Sequence, residues 1–219
     1  GAGRAGTAVR LGGVVGALVQ LADDALFEQH QRDPPVDDGF RRKRLCKVAD
    51  ASKWHKRGKA LELMLEDRLW DSEDRCYYDW DFAKDAFSRV LTPASYMPLF
   101  IGAASKDHAA GMAVAAKRLM PGWPTVSYDH PKYNPTTYWR GRTWLNVAYI
   151  ALKGLKYYGY DDIADAGKKT LLDWVEKNDG IYENYNSQTG EHLGCPLFSW
   201  SAAFVIKFIE DWDSPRETE

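Results

Sequence analysis

The neighbours of Glu183, in this 219-residue chain, are of the kind that can hold a carboxylate for proton transfer. Glu183 lies in a polar segment, residues 181–191, with Tyr182 before it and Asn184 and Tyr185 after it. A carboxylate among phenol and amide groups can be held by hydrogen bonds beside a cleft. A single Glu in a connection between helices is also an ordinary surface residue, and the segment alone leaves both interpretations open. Residues 186–190 are typical of a turn.

A second segment, residues 138–144, combines aromatic and guanidinium groups and precedes an apolar stretch. Guanidinium groups are forked donors that suit pairs of hydroxyls or a carboxylate. The indoles of Trp139 and Trp144 could flank a ring-sized slot, or they could seal the core at the start of a helix. Trp200 follows Pro196 in a third segment. Its side chain could lie in the core, or it could line the floor of a cavity.

An acidic segment, residues 69–79, raises the question of a calcium site. It lacks the Gly and the Glu that an EF-hand loop places at its sixth and twelfth positions, so a turn is favoured. The chain holds no phosphate-binding glycine loop, His-Glu-x-x-His motif or nucleophile elbow. Its five His residues are not paired at metal-ligand spacing. We therefore predict neither a metal nor a cofactor.

The apolar periodicity is helical almost throughout, and no run of alternating residues indicates strands, so parallel α/β folds are disfavoured. Helices that are apolar on nearly every side alternate with amphipathic ones, and we expect the former to be buried on every side. Two concentric rings of helices require this alternation, and an α-solenoid also shows it. The seven predicted helices cover residues 14–30, 40–69, 93–105, 107–120, 140–158, 161–178 and 197–212.

A long connection, rich in aromatic and polar residues, precedes each of the apolar stretches at 95–104, 145–155 and 199–208. Structured connections of this length usually carry function. We expect them to gather at one end of the helical scaffold and to build a site there. The chain starts at Gly1 with sixteen residues rich in Gly and Ala, which leaves open that it is an excerpt of a longer protein.

The composition is that of an ordinary globular protein. A net charge of -2 does not indicate nucleic-acid binding. An aromatic content of 13%, with nine Trp and twelve Tyr, favours carbohydrate binding, because aromatic faces can pack against sugar rings. The odd set Cys46, Cys76 and Cys195 indicates free thiols in a reducing compartment, or at most one incidental bridge, and we expect a cytoplasmic protein. No apolar run reaches the length that spans a membrane.

The order of these segments resembles the C-terminal catalytic region of glycoside hydrolase family 63 and its mannosylglycerate-hydrolase-like relatives, with trehalases more distant. The resemblance covers about residues 60–210. We therefore expect residues 41–214 to be the C-terminal part of a catalytic domain, preceded by a poorly matched segment, residues 1–40. The resemblance is carried by Leu69–Asp71, Tyr77–Asp79, Thr92–Phe100, Tyr138–Gly141, Trp144, Tyr182–Asn186, Thr189–Glu191 and Phe198–Ala202.

The resemblance implies an all-α (α/α)6 toroid, here an incomplete barrel of about seven helices, that hydrolyses an α-glucosidic or α-mannosidic bond with inversion. It identifies Glu183 as the general base. We predict that the protein binds a carbohydrate and that it binds neither nucleic acid nor a membrane. The oligomeric state is left open. The residues that the resemblance places around the sugar are Tyr138, Trp139, Arg140, Gly141, Trp144, Tyr185 and Trp200.

One part of the family pattern is missing. The general acid of the family is an Asp in an Asp-Asn-Ser-Pro-Arg-Trp-Asp-like stretch, which this chain lacks. Asp71, Asp79, Asp81 and Asp213 also follow an aromatic residue, but in a different context. Two alternatives to a hydrolase are therefore a carbohydrate-binding protein that kept the aromatic subsites and a helical scaffold without a sugar site.

Overall fold

A computed structural model describes residues 48–216, with side chains from residue 52 onward. The predicted helix at 14–30, the segment 1–40 and Cys46 lie outside these residues. The described part of the chain contains six α-helices, two short 3-10 helices and three small antiparallel hairpins. The α-helices are α1 Val48–Arg68, α2 Met97–Phe100, α3 Lys106–Ala115, α4 Leu145–Tyr157, α5 Asp161–Lys177 and α6 Ser199–Glu210, and the 3-10 helices are Pro93–Tyr96 and Ala116–Arg118.

The periodicity located the helices but misplaced two of their ends. The helix predicted over 93–105 is only a 3-10 turn followed by the four residues of α2. Two amides, those of Ala103 and Ala104, converge on the carbonyl of Pro98, which closes the chain into a turn instead of a further helical turn. The helix predicted over 140–158 starts at Leu145, because Thr143 is extended and pairs with two other segments.

Helix α4 forms the centre of the core. Residues 145, 146, 148, 149 and 151–155 are all buried, as its apolar sequence predicts. It packs against α5, α6 and α2, and the ring of Tyr149 lies edge-on to Phe204 and Phe208 of α6. The half-exposed α5 covers one side of this central helix. An inner helix flanked by amphipathic partners is the arrangement that two rings of helices require.

Helix α6 departs from the expectation of burial on every side. Ser201 and Phe208 are its buried residues, whereas Ile206 and Ile209 are 53% and 65% exposed. The contacts of α6 with α4 and with the hairpin before it cover only one face. The prediction of burial is therefore correct for this face of α6. It is wrong for the opposite face, which no part of residues 48–216 covers.

Three hairpins escaped prediction because their strands are short. A strand of two residues has no period to detect, and the longest of the six strands has five residues. Each pair is antiparallel. The strands are β1 Trp70–Asp71, β2 Cys76–Tyr77, β3 Trp80–Asp81, β4 Ala86–Phe87, β5 Tyr182–Tyr185 and β6 His192–Pro196.

The acidic segment forms the turn between β1 and β2, which confirms the turn interpretation. The buried Asp71 accepts hydrogen bonds through Oδ1 from the amides of Glu73 (2.9 Å) and Asp74 (3.2 Å). The guanidinium of Arg89 lies 3.0 Å from the other carboxylate oxygen of Asp71. These contacts tie the acidic residues into a closed turn.

The long connections meet one another, as expected. The amide of Ser127, in the connection before α4, donates to the carbonyl of Leu91, in the connection before α2, at 2.9 Å. Thr143 and Tyr185 exchange backbone hydrogen bonds of 2.9 and 3.0 Å, which join the connections before α4 and α6. Three loops therefore form one continuous layer at the N-terminal ends of α2, α4 and α6. None of the helices between residues 48 and 216 is long and apolar enough to cross a membrane.

Candidate active site

Glu183 lies on strand β5, not in a loop, and the pairing of this strand is irregular at that point. Asn184 pairs with Leu193 and Tyr182 pairs with Pro196, so Glu183 alone faces the two residues Gly194 and Cys195. Bulges of this kind bend a strand and redirect side chains, and they are common beside active sites. The bulge aims the backbone of Cys195 at the Glu183 side chain.

The turn between β5 and β6 is held by the Asn186 side chain. Its Oδ1 accepts hydrogen bonds from the amides of Gln188 (2.9 Å) and Thr189 (3.2 Å), and its backbone amide donates to Glu191 (2.8 Å). The turn predicted at 186–190 is therefore confirmed. Tyr128, from the connection before α4, donates to the carbonyl of Ser187 at 2.6 Å. These bonds fix the hairpin at its turn.

Hydrogen bonds hold the Glu183 side chain and backbone from three separate elements. Oε1 accepts from the hydroxyl of Tyr138, and Oε2 accepts from the amide of Cys195 at 3.3 Å. Ser201 Oγ, on α6, donates to the Glu183 carbonyl at 3.2 Å. The carboxylate raises the pKa of Tyr138, because ionising the phenol would break the hydrogen bond and place a second negative charge beside the first. Tyr138 therefore stays a donor at neutral pH.

Tyr138, which donates to this carboxylate, belongs to a cluster of aromatic rings. Trp139 and Trp144 are stacked with ring centroids 4.8 Å apart and planes 4° apart. Tyr138 lies edge-on to both indoles, and Trp200 lies 6.1 Å from Trp144. Tyr138, Trp139 and Trp200 are exposed. These three rings offer apolar faces beside Glu183.

The stacking excludes a slot between Trp139 and Trp144. A ring inserted between two indoles needs a separation of about twice the stacking distance, because close-packed carbon atoms sit about 3.5–4.0 Å apart. Trp144 is only 3% exposed, and its Nε1 donates to the carbonyl of Tyr138 at 3.2 Å. The core-sealing alternative is therefore the one observed for Trp144, whereas the outer face of Trp139 is free.

Three other predicted site residues do not form an exposed site with Glu183: two are buried, and the third is exposed but does not contact Glu183. Tyr185 is fully buried, and its hydroxyl accepts from the amide of Tyr182 at 3.3 Å, so it belongs to the core beneath Glu183. Gly141 is buried where an added Cβ would lie 2.1 Å from the carbonyl oxygen of Asn134. Arg140 is exposed. Its backbone forms hydrogen bonds, whereas its side chain forms none with residues 48–216.

Arg142, which sequence reasoning did not single out, is the guanidinium that joins the two segments. Its Nη1 donates to Asn184 Oδ1 at 3.1 Å, and its Nε donates to the carbonyl of Thr136 at 2.8 Å. The same guanidinium lies 5.4 Å from the centre of the Tyr138 ring. Two Arg residues flank Gly141, and no sequence signal distinguishes them, because the backbone of Thr143 decides which one points toward β5.

The arrangement suits abstraction of a proton from water beside a sugar. An ionised carboxylate has about four lone-pair positions, and Tyr138 and Cys195 occupy two of them. The remaining positions can accept a proton from water. The exposed rings of Tyr138, Trp139 and Trp200 supply the apolar platform on which a pyranose packs. Within residues 48–216, no group of three or more His, Cys, Asp or Glu side chains is arranged to hold a metal ion.

The helical scaffold, with its long loops gathered at one end, belongs to the (α/α)6 toroid class of fold. Residues 43–201 match the mannosylglycerate hydrolase MGH1-like glycoside hydrolase domain, and the chain belongs to that family. The resemblance to family 63 seen in the sequence is confirmed.

Known relatives support the same assignment. A mannosylglycerate hydrolase of Thermus thermophilus is 33% identical over 165 residues, which cover 72% of this chain and 38% of the relative. The crystal structure of the GH63 mannosylglycerate hydrolase from another strain of Thermus thermophilus, in complex with glucose, has a TM-score of 0.64 at 33% identity, and covers 68% of this chain and 38% of that chain. Neutral trehalase Nth1 from Saccharomyces cerevisiae, at 22% identity and a TM-score of 0.58, shares the fold over 74% of this chain and 31% of its own. The chain thus spans about 38% of the Thermus relatives that it matches.

Proposed function

We propose that this chain supplies the general base of an inverting α-glycosidase, and that the base is Glu183. The observation that carries the proposal is the Glu183 carboxylate, held by Tyr138 and Cys195 beside the exposed rings of Trp139 and Trp200. In an inverting enzyme one carboxylate deprotonates a water while a second carboxyl group, roughly 6.5–9.5 Å away, protonates the leaving oxygen. The hydrogen-bonded side chain of Glu183 suits the first of these roles.

The substrate we propose is a small α-mannoside such as mannosylglycerate, or an α-glucoside. The relatives named as mannosylglycerate hydrolases support the former, and the glucose bound in the Thermus structure supports a pocket of hexose size. The open face of Trp139 would take the apolar face of the sugar, and Arg140, exposed beside it, would take hydroxyl or carboxylate groups.

We assign no general acid among the described residues. Asp71 is enclosed in its turn by Arg89, Asp81 is paired with Lys84 at 2.8 Å, and Asp213 is exposed near Lys156. Asp79 is exposed between β2 and β3, and within residues 48–216 no hydrogen bond or ion pair links its side chain to Glu183. We propose that the acid is supplied by a part of the toroid that this chain does not span.

We place the protein in the cytoplasm on its cysteines. Cys76 and Cys195 are both free, one buried and one exposed. Unpaired thiols are typical of a reducing compartment. We also retain residues 41–214 as the part of the catalytic domain that this chain carries, which agrees with the family match over 43–201.

The test is hydrolysis of mannosylglycerate and of α-linked nitrophenyl glycosides by the full-length natural protein. Glu183→Gln keeps the shape of the side chain and removes its basicity, so turnover is expected to fall by about 10²–10⁴-fold. Glu191→Gln is the matched control, because Glu191 is an exposed carboxylate on the same hairpin. Proton NMR of the first product gives the anomer, and inversion requires the β-anomer. A near-normal rate for Glu183→Gln would overturn the assignment.

The second candidate, a non-catalytic carbohydrate-binding protein, is favoured by the absence of an assigned acid within residues 48–216. Trp139 and Trp200 would then serve binding alone. Quenching of tryptophan fluorescence by mannosylglycerate, without any hydrolysis by the full-length protein, would support this candidate over the enzyme.

A further inference from the structure

The space around Gly194 is filled by the Glu183 side chain. Gly194 has a φ of +75°, in the left-handed region that favours glycine. A Cβ added at this position would lie 2.3 Å from Glu183 Oε2 and 2.8 Å from Glu183 Cβ. Both distances are shorter than any real contact, and the atoms that must move belong to the proposed base. The carboxylate therefore occupies a place that only glycine leaves open.

The residue after Gly194 provides the donor for the same oxygen. The amide of Cys195 reaches Glu183 Oε2 at 3.3 Å, and the register of the hairpin shows why. Gly194 and Cys195 together face the single residue Glu183, so the left-handed turn at Gly194 points the next amide inward. The hydroxyl of Tyr138 holds Oε1 from the connection before α4. Each carboxylate oxygen thus has one donor, and the donors come from different segments.

We propose that Gly194 and the Cys195 amide are positioning elements for catalysis, which fix the orientation of the Glu183 carboxylate toward water. This inference rests on the function proposed above for Glu183. A Glu side chain rotates freely at its last torsion unless both oxygens are held. A general base must lie within hydrogen-bond reach of the proton that it removes, and small displacements cost large factors in rate. In this role Gly194 acts through Glu183, whose atoms are the nearest to its added Cβ.

The first experiment compares Gly194→Ala with Gly159→Ala in the full-length protein. Gly159 has nearly the same backbone angle, φ +82°, but an added Cβ would meet nothing within 4 Å. Both variants therefore carry the cost of alanine in the left-handed region, and only Gly194→Ala displaces the carboxylate. We expect Gly194→Ala to lower kcat at least about thirtyfold with KM within about twofold. Gly159→Ala should keep both constants within about twofold of the wild type.

The second experiment separates displacement of the carboxylate from general damage, and it needs no activity. Glu183→Ala removes the carboxylate, whose Oε2 would lie nearest at 2.3 Å, and leaves Glu183 Cβ at 2.8 Å. With Glu183→Ala as the reference, Gly194→Ala should lower the Tm, beyond the effect of Gly159→Ala, by no more than half as much as it does in the wild type, so that at least half of the excess loss is recovered. No recovery would overturn the proposal even where Gly194→Ala folds too poorly for kinetics.

The outcomes distinguish the positioning role from the role of Glu183 itself. If Glu183→Gln is inactive and Gly194→Ala has the kcat of Gly159→Ala, the positioning role is wrong and the general base stands. If Glu183→Gln is fully active, the proposed function fails, whatever Gly194→Ala does. A raised KM with unchanged kcat in Gly194→Ala would place Gly194 in substrate binding and also overturn the proposal.

Discussion

The indoles of Trp139 and Trp144 lie parallel, 4.8 Å apart between centroids, yet their two rings have different environments. Trp139 is 49% exposed and Trp144 is 3% exposed, so one indole faces the site and the other supports it from the core. A stacked pair of this kind holds the outer ring in one orientation before any ligand arrives, which reduces the entropy lost on binding.

Substitution of the two indoles should therefore have different consequences. Trp139→Ala is expected to weaken sugar binding about tenfold, with a small change in stability, because a single aromatic contact contributes on the order of 1 kcal/mol. Trp144→Ala removes a buried ring and should lower the free energy of unfolding by about 3–5 kcal/mol. Isothermal calorimetry with mannosylglycerate and urea denaturation measure the two effects. Equal destabilisation by both variants would contradict the assignment.

Tyr138→Phe should lower turnover more than binding. The variant keeps the ring beside Trp139 but removes the donor to Glu183 Oε1. The carboxylate then loses one of its two restraints, and a fall in kcat of about tenfold is expected from the loss of one hydrogen bond to a charged group. Tyr158→Phe is the control, since Tyr158 donates to the carbonyl of Ala104, outside the candidate site. A change in KM alone would assign Tyr138 to substrate binding.

Lys153→Met should destabilise the fold strongly. Lys153 is buried on α4, and its Nζ donates to the carbonyls of Asp211 (2.7 Å), Trp212 and Ser214 (2.8 Å) at the end of α6. Methionine has no donor for these three carbonyls, so the free energy of unfolding should fall by about 3 kcal/mol.

The control for Lys153 is Lys207→Met. Lys207 forms an exposed ion pair with Asp211 four residues away, and such pairs contribute only about 0.5 kcal/mol. Urea denaturation of both variants compares a buried cap with a surface pair near the same helix end. A loss below about 1 kcal/mol for Lys153→Met would contradict the capping role.

Asp165 should make stability depend on pH in the acid range. The hydrogen bond from Trp212 Nε1 (2.6 Å), together with Lys156, lowers the pKa of Asp165 in the folded protein. The unfolded value is about 3.9, so the contribution is complete above that pH and is lost as the pH falls through the lower, folded pKa. The stability difference between the wild type and Asp165→Asn should therefore shrink from about pH 6 to about pH 3.

The measurement is the free energy of unfolding in urea at several pH values, followed by the far-ultraviolet circular dichroism of the helices. The same series on Glu176→Gln, an exposed carboxyl on the same helix, gives the background. A difference between the wild type and Asp165→Asn that stays constant down to about pH 3 would contradict a lowered pKa.

The sequence by itself determined the longer described helices and the identity of the proposed base. The amphipathic repeat of α5 predicted residues 161–178, and the helix covers Asp161–Lys177, because its period of about 3.6 is a local property of the chain. Glu183 was identified by the order of the surrounding segments, since its own segment left open whether it is a held carboxylate or a surface residue. Tyr138 and Trp139 followed from the same order; in the structure Tyr138 donates to Glu183, and Trp139 lies against Tyr138.

Only the tertiary structure decided how these residues are arranged. The backbone hydrogen bonds between Thr143 and Tyr185 join two segments that are distant in sequence, and they keep the chain before α4 extended. As a result Arg142, and not Arg140, contacts β5, and Tyr138 reaches Glu183. Such pairing depends on the positions of whole helices, and no local period encodes it. The same holds for the bulge at Gly194 and Cys195, which is visible only once β5 and β6 are in register.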